Sequence, residues 1–382
     1  MEKREFFHKT IKGIFVRRPN RFIVECTVQG RSVRAYLPNP GRLWELFFPG
    51  TALYLVKHDI SYEGNTDFIV VGVERDGMPI MLHTHVNNLV ARQLIEGGNI
   101  PGLENAQVVK PEITIGHSRF DFLLQQNGKE VVVEVKSCTL VGSRIAMFPD
   151  AVTARGTKHL VELSGLAAQG KKAAVVFLVH WPRAEFFMPE HHTDLEFSRT
   201  LLAVKDRVLV KAVSVEWTSA LTLGKTRDLI IPWQVVEQEA HDSGSYIIIL
   251  YLPRDRKLFI GGLGKVEFRK GYYLYVGSAK AGLSRRIERH RRLVKQLHWH
   301  IDYLRAATEF HAALPVRASD DLECEIATAL GDIAEWNVPG FGSLDCSCES
   351  HLFRMSEDPV HSRPFIEFLQ YFRIDRLEKY LR

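Results

Sequence analysis

Phe120-Asp121-Phe122-Leu123-Leu124 and Val131-Val132-Val133-Glu134-Val135-Lys136-Ser137 each set a carboxylate in apolar surroundings. The second stretch has the composition of a short buried strand, filled by β-branched residues and bounded by Gly128 and Ser137. Glu134 interrupts it, and a carboxylate inside a sheet persists by binding a cation or pairing with another charge. Side chains alternate along a strand, so Glu134 and Lys136 share a face. Asp121, Glu134 and Lys136 converging at one strand edge make a divalent-metal site with an adjacent ammonium. In phosphodiester hydrolysis the carboxylates would hold Mg²⁺ or Mn²⁺, while the lysine positions or activates water and offsets developing negative charge. A structural ion pair, Glu134–Lys136 or Asp121–Lys136, fits the same spacing, and the pattern alone leaves both open.

Working outward, a chain of 382 residues exceeds one typical domain and predicts two or three cores. No stretch has the roughly eighteen apolar residues of a membrane span, and Met1-Glu2-Lys3-Arg4-Glu5 lacks a signal peptide's apolar segment. Five irregularly spaced cysteines make no disulfide framework, which predicts a reducing cytoplasm. A formal charge of +5 permits nucleic-acid binding without requiring it. The sequence leaves oligomeric state open.

Strands are expected at Phe22–Val28, Val33–Leu37, Thr51–Val56 and Phe68–Val73, with a turn over Gln29–Ser32. A small antiparallel barrel would bury them without edges. From about His83 the period becomes helical through Val86, Leu89, Val90, Leu94 and Ile95, and Gly97-Gly98 stops it. The two carboxylate strands follow, then a helix over 151–168 with Leu160, Leu163 and Leu166 on its apolar stripe, then a buried strand at Ala173–Val179. Arg155, Lys158 and His159 sit at the start of that helix, where positive charge is unfavourable to the helix dipole, and phosphate contact is the use this predicts. The polar stretch after Val235 predicts a linker at 236–243, separating a barrel at 1–82 and an α/β core at 83–235 from a last domain at 244–382.

That last part has apolar strands around Tyr246 and Tyr275, then Leu283-Ser284-Arg285-Arg286-Ile287-Glu288-Arg289-His290-Arg291-Arg292. Leu283, Ile287, Val294 and Leu297 predict one apolar helical face, leaving Arg285, Arg286 and Arg289 on a cationic surface suited to phosphate. His298, His300, Cys346, Cys348 and His351 could supply zinc ligands, although their spacing matches no familiar zinc pattern.

Two resemblances join these readings. Asp121 followed by Glu134-x-Lys136 resembles the core of the PD-(D/E)xK nucleases. Longer stretches are similar to the sugar fermentation stimulation protein A family: Asn39-Pro40-Gly41-Arg42-Leu43-Trp44-Glu45-Leu46, Ser118–Leu124, Glu134–Leu140 and Phe148-Pro149-Asp150-Ala151-Val152-Thr153-Ala154-Arg155-Gly156-Thr157-Lys158-His159-Leu160. That likeness covers roughly residues 1–235. It implies an OB-like barrel that grips nucleic acid, with Arg17, Arg18, Arg21, Arg31, Arg34 and Tyr36 as candidate contacts. The same residues could equally be the solvated surface of a β domain. The resemblance also implies a metal-dependent nuclease in which Asp121 and Glu134 hold Mg²⁺, Lys136 orients water, Glu112 assists and Arg155 and Lys158 clamp phosphate.

Beyond the linker, Gly244-Ser245-Tyr246, Tyr275-Val276-Gly277 and Leu283-Ser284-Arg285-Arg286-Ile287 resemble the GIY-YIG nuclease module. Carried over, Tyr246 and Tyr275 are the paired tyrosines, Arg286 the transition-state cation and Glu323 the single metal carboxylate. Serine in the first tripeptide and a long hairpin between the tyrosines depart from the module. The whole is thus expected to be an α/β multidomain protein with an OB-like barrel, a PD-(D/E)xK-type core and a GIY-YIG-like domain. Its partner would be DNA or RNA. Two alternatives stay open: a non-catalytic DNA-binding regulator of sugar metabolism, or a nuclease cutting only at the C-terminal tyrosines.

Overall fold

The computed structural model describes residues 5–58 and 64–381; the charged stretch Met1–Arg4 lies outside them. The chain divides into two compact units. One comprises Met1–Glu190, Glu196–Val236 and Glu378–Arg382, the other His191–Leu195 and Glu237–Leu377.

The first unit begins with β1 (Ile11–Asn20), β2 (Ile23–Val28), β3 (Arg31–Tyr36), β4 (Ala52–Lys57), β5 (Phe68–Arg75) and β6 (Met78–Met81). Their order is β3-β2-β1-β4-β5-β6, and β3 also pairs with β5, so five strands close into a barrel that β6 extends. Alternation explains the lining: Val24, Cys26 and Val28 are buried from β2 while Glu25 and Thr27 face outward. The turn is tighter than expected. Gln29 and Gly30 alone make it, both at positive φ, and Arg31 and Ser32 already belong to β3.

Next come α1 (Asn87–Glu96), β7 (Gln107–Ile115), β8 (Ser118–Gln126), β9 (Lys129–Cys138), β10 (Leu140–Val141), β11 (Ile145–Phe148), α2 (Ala154–Ala168), β12 (Lys172–Val179), β13 (Phe186–Pro189), α3 (Leu195–Val204), β14 (Leu209–Trp217) and β15 (Leu223–Asp228). The main sheet has the order β15-β14-β12-β9-β8-β7, with β9, β12 and β14 parallel. Val133, Val135, Val176 and Leu178 pack with Val90, Ala91 and Leu94 of α1. Val132, Val175 and Phe177 pack with Leu160 and Leu163 of α2. Helix α2 starts three residues later than expected because Thr153 caps it, its Oγ1 accepting from the Gly156 N–H at 3.1 Å.

The Asn39–Arg42 loop of the barrel is tied to the start of α2. Asp150 Oδ2 accepts the Leu43 N–H at 2.9 Å, and Arg42 Nε donates to the Asp150 carbonyl at 2.6 Å. Arg18 donates to the carbonyls of Asn39, Gly41 and Arg42.

The second unit contains β16 (Gly244–Leu252), β17 (Arg256–Phe259), β18 (Lys265–Phe268), β19 (Gly271–Ala279), α5 (Leu283–Arg291), α6 (His300–Arg305), β20 (Glu309–Arg317), α7 (Glu323–Gly331), β21 (Trp336–Asn337), β22 (Leu352–Met355) and α8 (Arg363–Arg373), after α4 (Trp233–Glu239). Its antiparallel sheet runs β20-β16-β19-β22-β21. Helix α4 occupies the first part of the expected linker: Val236 and Ala240 are buried, and buried Glu239 accepts from Arg376 Nη2 at 2.6 Å. The polarity there belongs to paired side chains. Helix α5 also departs from expectation, ending at Arg291 and leaving Val294 and Leu297 exposed beyond it. Lys295 turns back to the Arg289 and His290 carbonyls, at 3.3 and 3.4 Å, and so closes that helix end. Among the described residues no helix is long and apolar enough to cross a membrane.

Candidate metal and nucleic-acid sites

The β8–β9 ladder runs from Gln126–Lys129 to Phe122–Val133. Beside its end, Asp121 Oδ2 takes the Val135 N–H at 2.7 Å, and Oδ1 accepts from Asn88 Nδ2 of α1, also at 2.7 Å. Glu134 is 4% exposed; its Oε1 accepts from Lys136 Nζ at 2.5 Å and from His159 Nδ1 at 2.6 Å. The other oxygen, Oε2, is buried without a hydrogen-bond partner among the described residues.

Burial, and next the charge on Glu134, raise the Asp121 carboxyl above the usual carboxylate range. Burial pulls Glu134 the same way, but His159 and Lys136 outweigh it and hold that carboxyl below its ordinary value. One carboxylate is thus ionised with an unsatisfied buried oxygen, and a second nearby resists ionisation. A hard divalent cation would satisfy such a donor set, since it would take up the orphaned oxygen and relieve the repulsion between the two acids.

His159 corrects one expectation. It is buried and bonded to Glu134 rather than offered to phosphate, because it shares the sheet-facing side of α2 with Gly156, Leu160 and Leu163. Arg155 and Lys158 remain exposed at the same helix end. The Glu112 carboxylate is exposed and lies 3.7 Å from Arg119, with no contact to Asp121, Glu134 or Lys136 among the described residues.

On the barrel, Arg21, Arg31 and Arg34 are exposed, and Phe22 and Tyr36 stack at 6.5 Å between ring centroids. Arg17 is exposed and ion-paired to Glu25 at 2.6 Å. Arg18 is different: four backbone carbonyls take its guanidinium, and burial lowers its pKa to about 10, so it locks the Asn39–Arg42 loop instead of facing a ligand.

In the second unit Tyr246 and Tyr275 stand on neighbouring strands with ring centroids 6.5 Å apart. Tyr246 Oη hydrogen-bonds His290 Nε2 at 2.9 Å. Burial raises both phenols well above their ordinary pKa, so they are neutral groups, not tyrosinates. Arg286 donates to the Ser278 carbonyl at 2.9 Å and lies 5.3 Å over Trp299. Glu323 accepts from Ser278 Oγ and lies 3.1 Å from His351 Nδ1. Arg285 is exposed, whereas Arg289 is held by buried Asp302 at 2.9 and 3.1 Å and organises the Gln296–Asp302 turn. The expected zinc set is also redrawn. His300 Nδ1 accepts from the Gly342 N–H, His298 packs on Trp299, and Cys324 joins Cys346, Cys348 and His351 in their place.

Cys324 was missed as a participant, and His159 was assigned to phosphate rather than to Glu134. His159 lies in the quoted helix and Cys324 sits directly after Glu323, yet nothing local in the sequence names the partner of either.

Residues 16–82 match the SfsA N-terminal OB domain, 85–220 the sugar fermentation stimulation protein RE domain, and 245–373 the domain of unknown function DUF123. The sugar fermentation stimulation protein homolog of Methanothermobacter thermautotrophicus is 38% identical over 191 residues, spanning 50% of this chain and 79% of that protein. Its counterpart in Pyrobaculum arsenaticum is 39% identical over 206 residues, 53% and 87% of the two chains. A solved structure of Pyrococcus furiosus SfsA in complex with Ca²⁺ superposes with a TM-score of 0.55 at 30% identity, covering 60% of this chain and 99% of that one. The barrel, the carboxylate-bearing sheet and these likenesses together show that the chain belongs to the sugar fermentation stimulation protein family, extended by a GIY-YIG-like DUF123 domain.

Proposed function

We propose that this protein binds nucleic acid, DNA foremost with RNA a second substrate, and hydrolyses its phosphodiester bonds at the Asp121–Glu134–Lys136 centre. In this reading residues 1–82 grip the strand, 83–235 cut it, and 244–382 form a second nucleic-acid-handling part. One observation carries it: beside Asp121 and Lys136, Glu134 keeps a buried carboxylate oxygen without a donor among the described residues. Asp121 and Glu134 would hold the cation, Mg²⁺ or Mn²⁺, which supplies charge neutralisation and an acidified water. Ca²⁺ in the solved relative is consistent with a hard divalent ion bound by oxygen ligands.

The remaining chemistry belongs to the chain. Lys136 places an ammonium against Glu134, where it orients water and offsets charge growing on the phosphate. His159 fixes the Glu134 carboxylate from behind. Arg155 and Lys158, exposed at the α2 start, hold the backbone phosphates on either side. Five unpaired thiols fit a reducing cytoplasm.

The test incubates chelator-treated protein with labelled single- and double-stranded DNA and RNA, with and without Mg²⁺ or Mn²⁺. Metal-dependent cutting should vanish in Glu134→Ala while binding persists, and should survive in Tyr275→Phe. Cutting by Glu134→Ala sinks the assignment. Binding without cutting under every condition identifies a DNA-binding regulator instead.

A further inference from the structure

We propose that the GIY-YIG-like domain holds a structural zinc ion through Cys324, Cys346, Cys348 and His351. The four ligand atoms, three thiol sulfurs and one imidazole nitrogen, all lie within 4.8 Å of one another although Cys324 is more than twenty positions away in sequence. Tetrahedral zinc with Zn–S near 2.3 Å and Zn–N near 2.0–2.1 Å requires sulfur–sulfur edges of about 3.8 Å and sulfur–nitrogen edges of about 3.5 Å. Cys346 Sγ and His351 Nε2 are already 3.4 Å apart.

The imidazole is also presented as zinc sites present it. While Nε2 faces the thiols, Nδ1 lies at an ion-pair distance of 3.1 Å from Glu323 Oε1, off the line of a hydrogen bond, and the other Glu323 oxygen accepts from Ser278 Oγ. A carboxylate behind a ligating histidine fixes its tautomer and ring orientation. Glu323 therefore belongs to the thiol cluster as the group that orients His351, and its neighbour Cys324 supplies a ligand from the same first turn of α7.

The surrounding fold has a use for such an ion. Residues 338–351 join β21 to β22 without regular structure, and the stretch around the two cysteines, Ser343-Leu344-Asp345-Cys346-Ser347-Cys348-Glu349-Ser350, is polar apart from Leu344, itself 80% exposed. Val338 and Phe341 anchor the start of this loop in the core, but the cysteine stretch beyond them has no such burial and gains its order from cross-links, and a closed set of four protein ligands pins it to α7. Three thiolates and an imidazole select zinc over the hard cation proposed at Asp121 and Glu134, so the two centres are chemically separate.

Full-length protein, purified without added metal or chelator, should carry one zinc per chain by elemental analysis. Cys324→Ser combined with Cys346→Ser should lose it, whereas His298→Ala should keep it. Glu323→Gln should retain zinc but weaken it by about 10–100-fold in chelator competition, a change that a purely structural role for Glu323 would not produce. Because the cysteine variants could unfold, cobalt substitution of the unmutated chain gives an independent reading: thiolate-to-cobalt charge-transfer absorption with tetrahedral d–d bands is expected. Metal-free protein of unchanged thermal stability, iron in place of zinc, zinc persisting in the double serine variant, or octahedral cobalt would overturn the proposal. None of these readouts depends on nucleic-acid cleavage.

Discussion

A carboxylate buried against another carboxylate takes up a proton, and Glu45 shows this beside Asp150. Burial first, then the Asp150 charge, push Glu45 up to about 8, and Asp150 is raised as well. The folded pair therefore keeps a proton that the unfolded chain, with Glu45 near 4.5, releases. This pair's contribution to stability is full below about 4.5 and is lost progressively as pH rises through about 8. Glu45→Gln should remove that slope, which urea unfolding of both proteins across this window would reveal as a gap widening with pH. His159 makes the opposite kind of contribution. His159→Ala leaves a Glu134 oxygen short of one donor and should cost about 1–3 kcal/mol in the same assay, with Glu134 titrating higher. The grouping of Asp121, Glu134 and Lys136 was legible because a charge within an apolar run is anomalous on its own strand. The roles of His159 and Arg18 were not, since a histidine bonded to a distant carboxylate and an arginine bonded to carbonyls look in sequence like surface cations.

At the level of the element, two glycines in regular structure have opposite expectations. Gly165 lies within α2, and a Cβ built there meets nothing within 4 Å, so Gly165→Ala should stabilise the protein by about 0.5–1 kcal/mol through helix propensity alone. Gly277 on β19 faces Tyr246 across the strand pair, and a Cβ there would sit 2.5 Å from the phenol oxygen and 2.6 Å from Cζ. Gly277→Ala should displace the ring from His290 and cost about 1–3 kcal/mol by overpacking. Calorimetry of the two alanine variants should therefore move the melting temperature in opposite directions. Elements were legible where apolar residues carried the period, as in α1, β9 and β12. They were misread where the period outlasted the element: Val294 and Leu297 continue the spacing of Leu283 and Ile287, but Lys295 turns the chain at Arg291. Strand β1 escaped notice because Arg17, Arg18 and Pro19 crowd its end, and its inward face is only Ile11, Gly13 and Phe15.

Over the whole molecule, a formal charge of +5 on 382 residues is too small to identify a nucleic-acid binder, and placement of the arginines carries the argument. Many are already committed to carbonyls or carboxylates, as Arg18, Arg42, Arg289 and Arg376 are. Arg21 and Arg34 are exposed on the barrel near the Phe22–Tyr36 stack. If these two neutralise phosphates, each releases counterions, and log affinity falls with log salt by about 0.9 per contact on duplex DNA or about 0.7 on a single strand. The double variant Arg21→Gln, Arg34→Gln should then flatten the salt dependence of binding by about 1.4–1.8 units, weakening affinity most at low salt. Arg18→Gln should leave that slope unchanged and lower the melting temperature instead, since it removes donors from a loop interior. Fluorescence anisotropy over a salt series separates the outcomes. An unchanged slope in the double variant would move the grip away from this barrel face, to the exposed cations at the start of α2 or on α5.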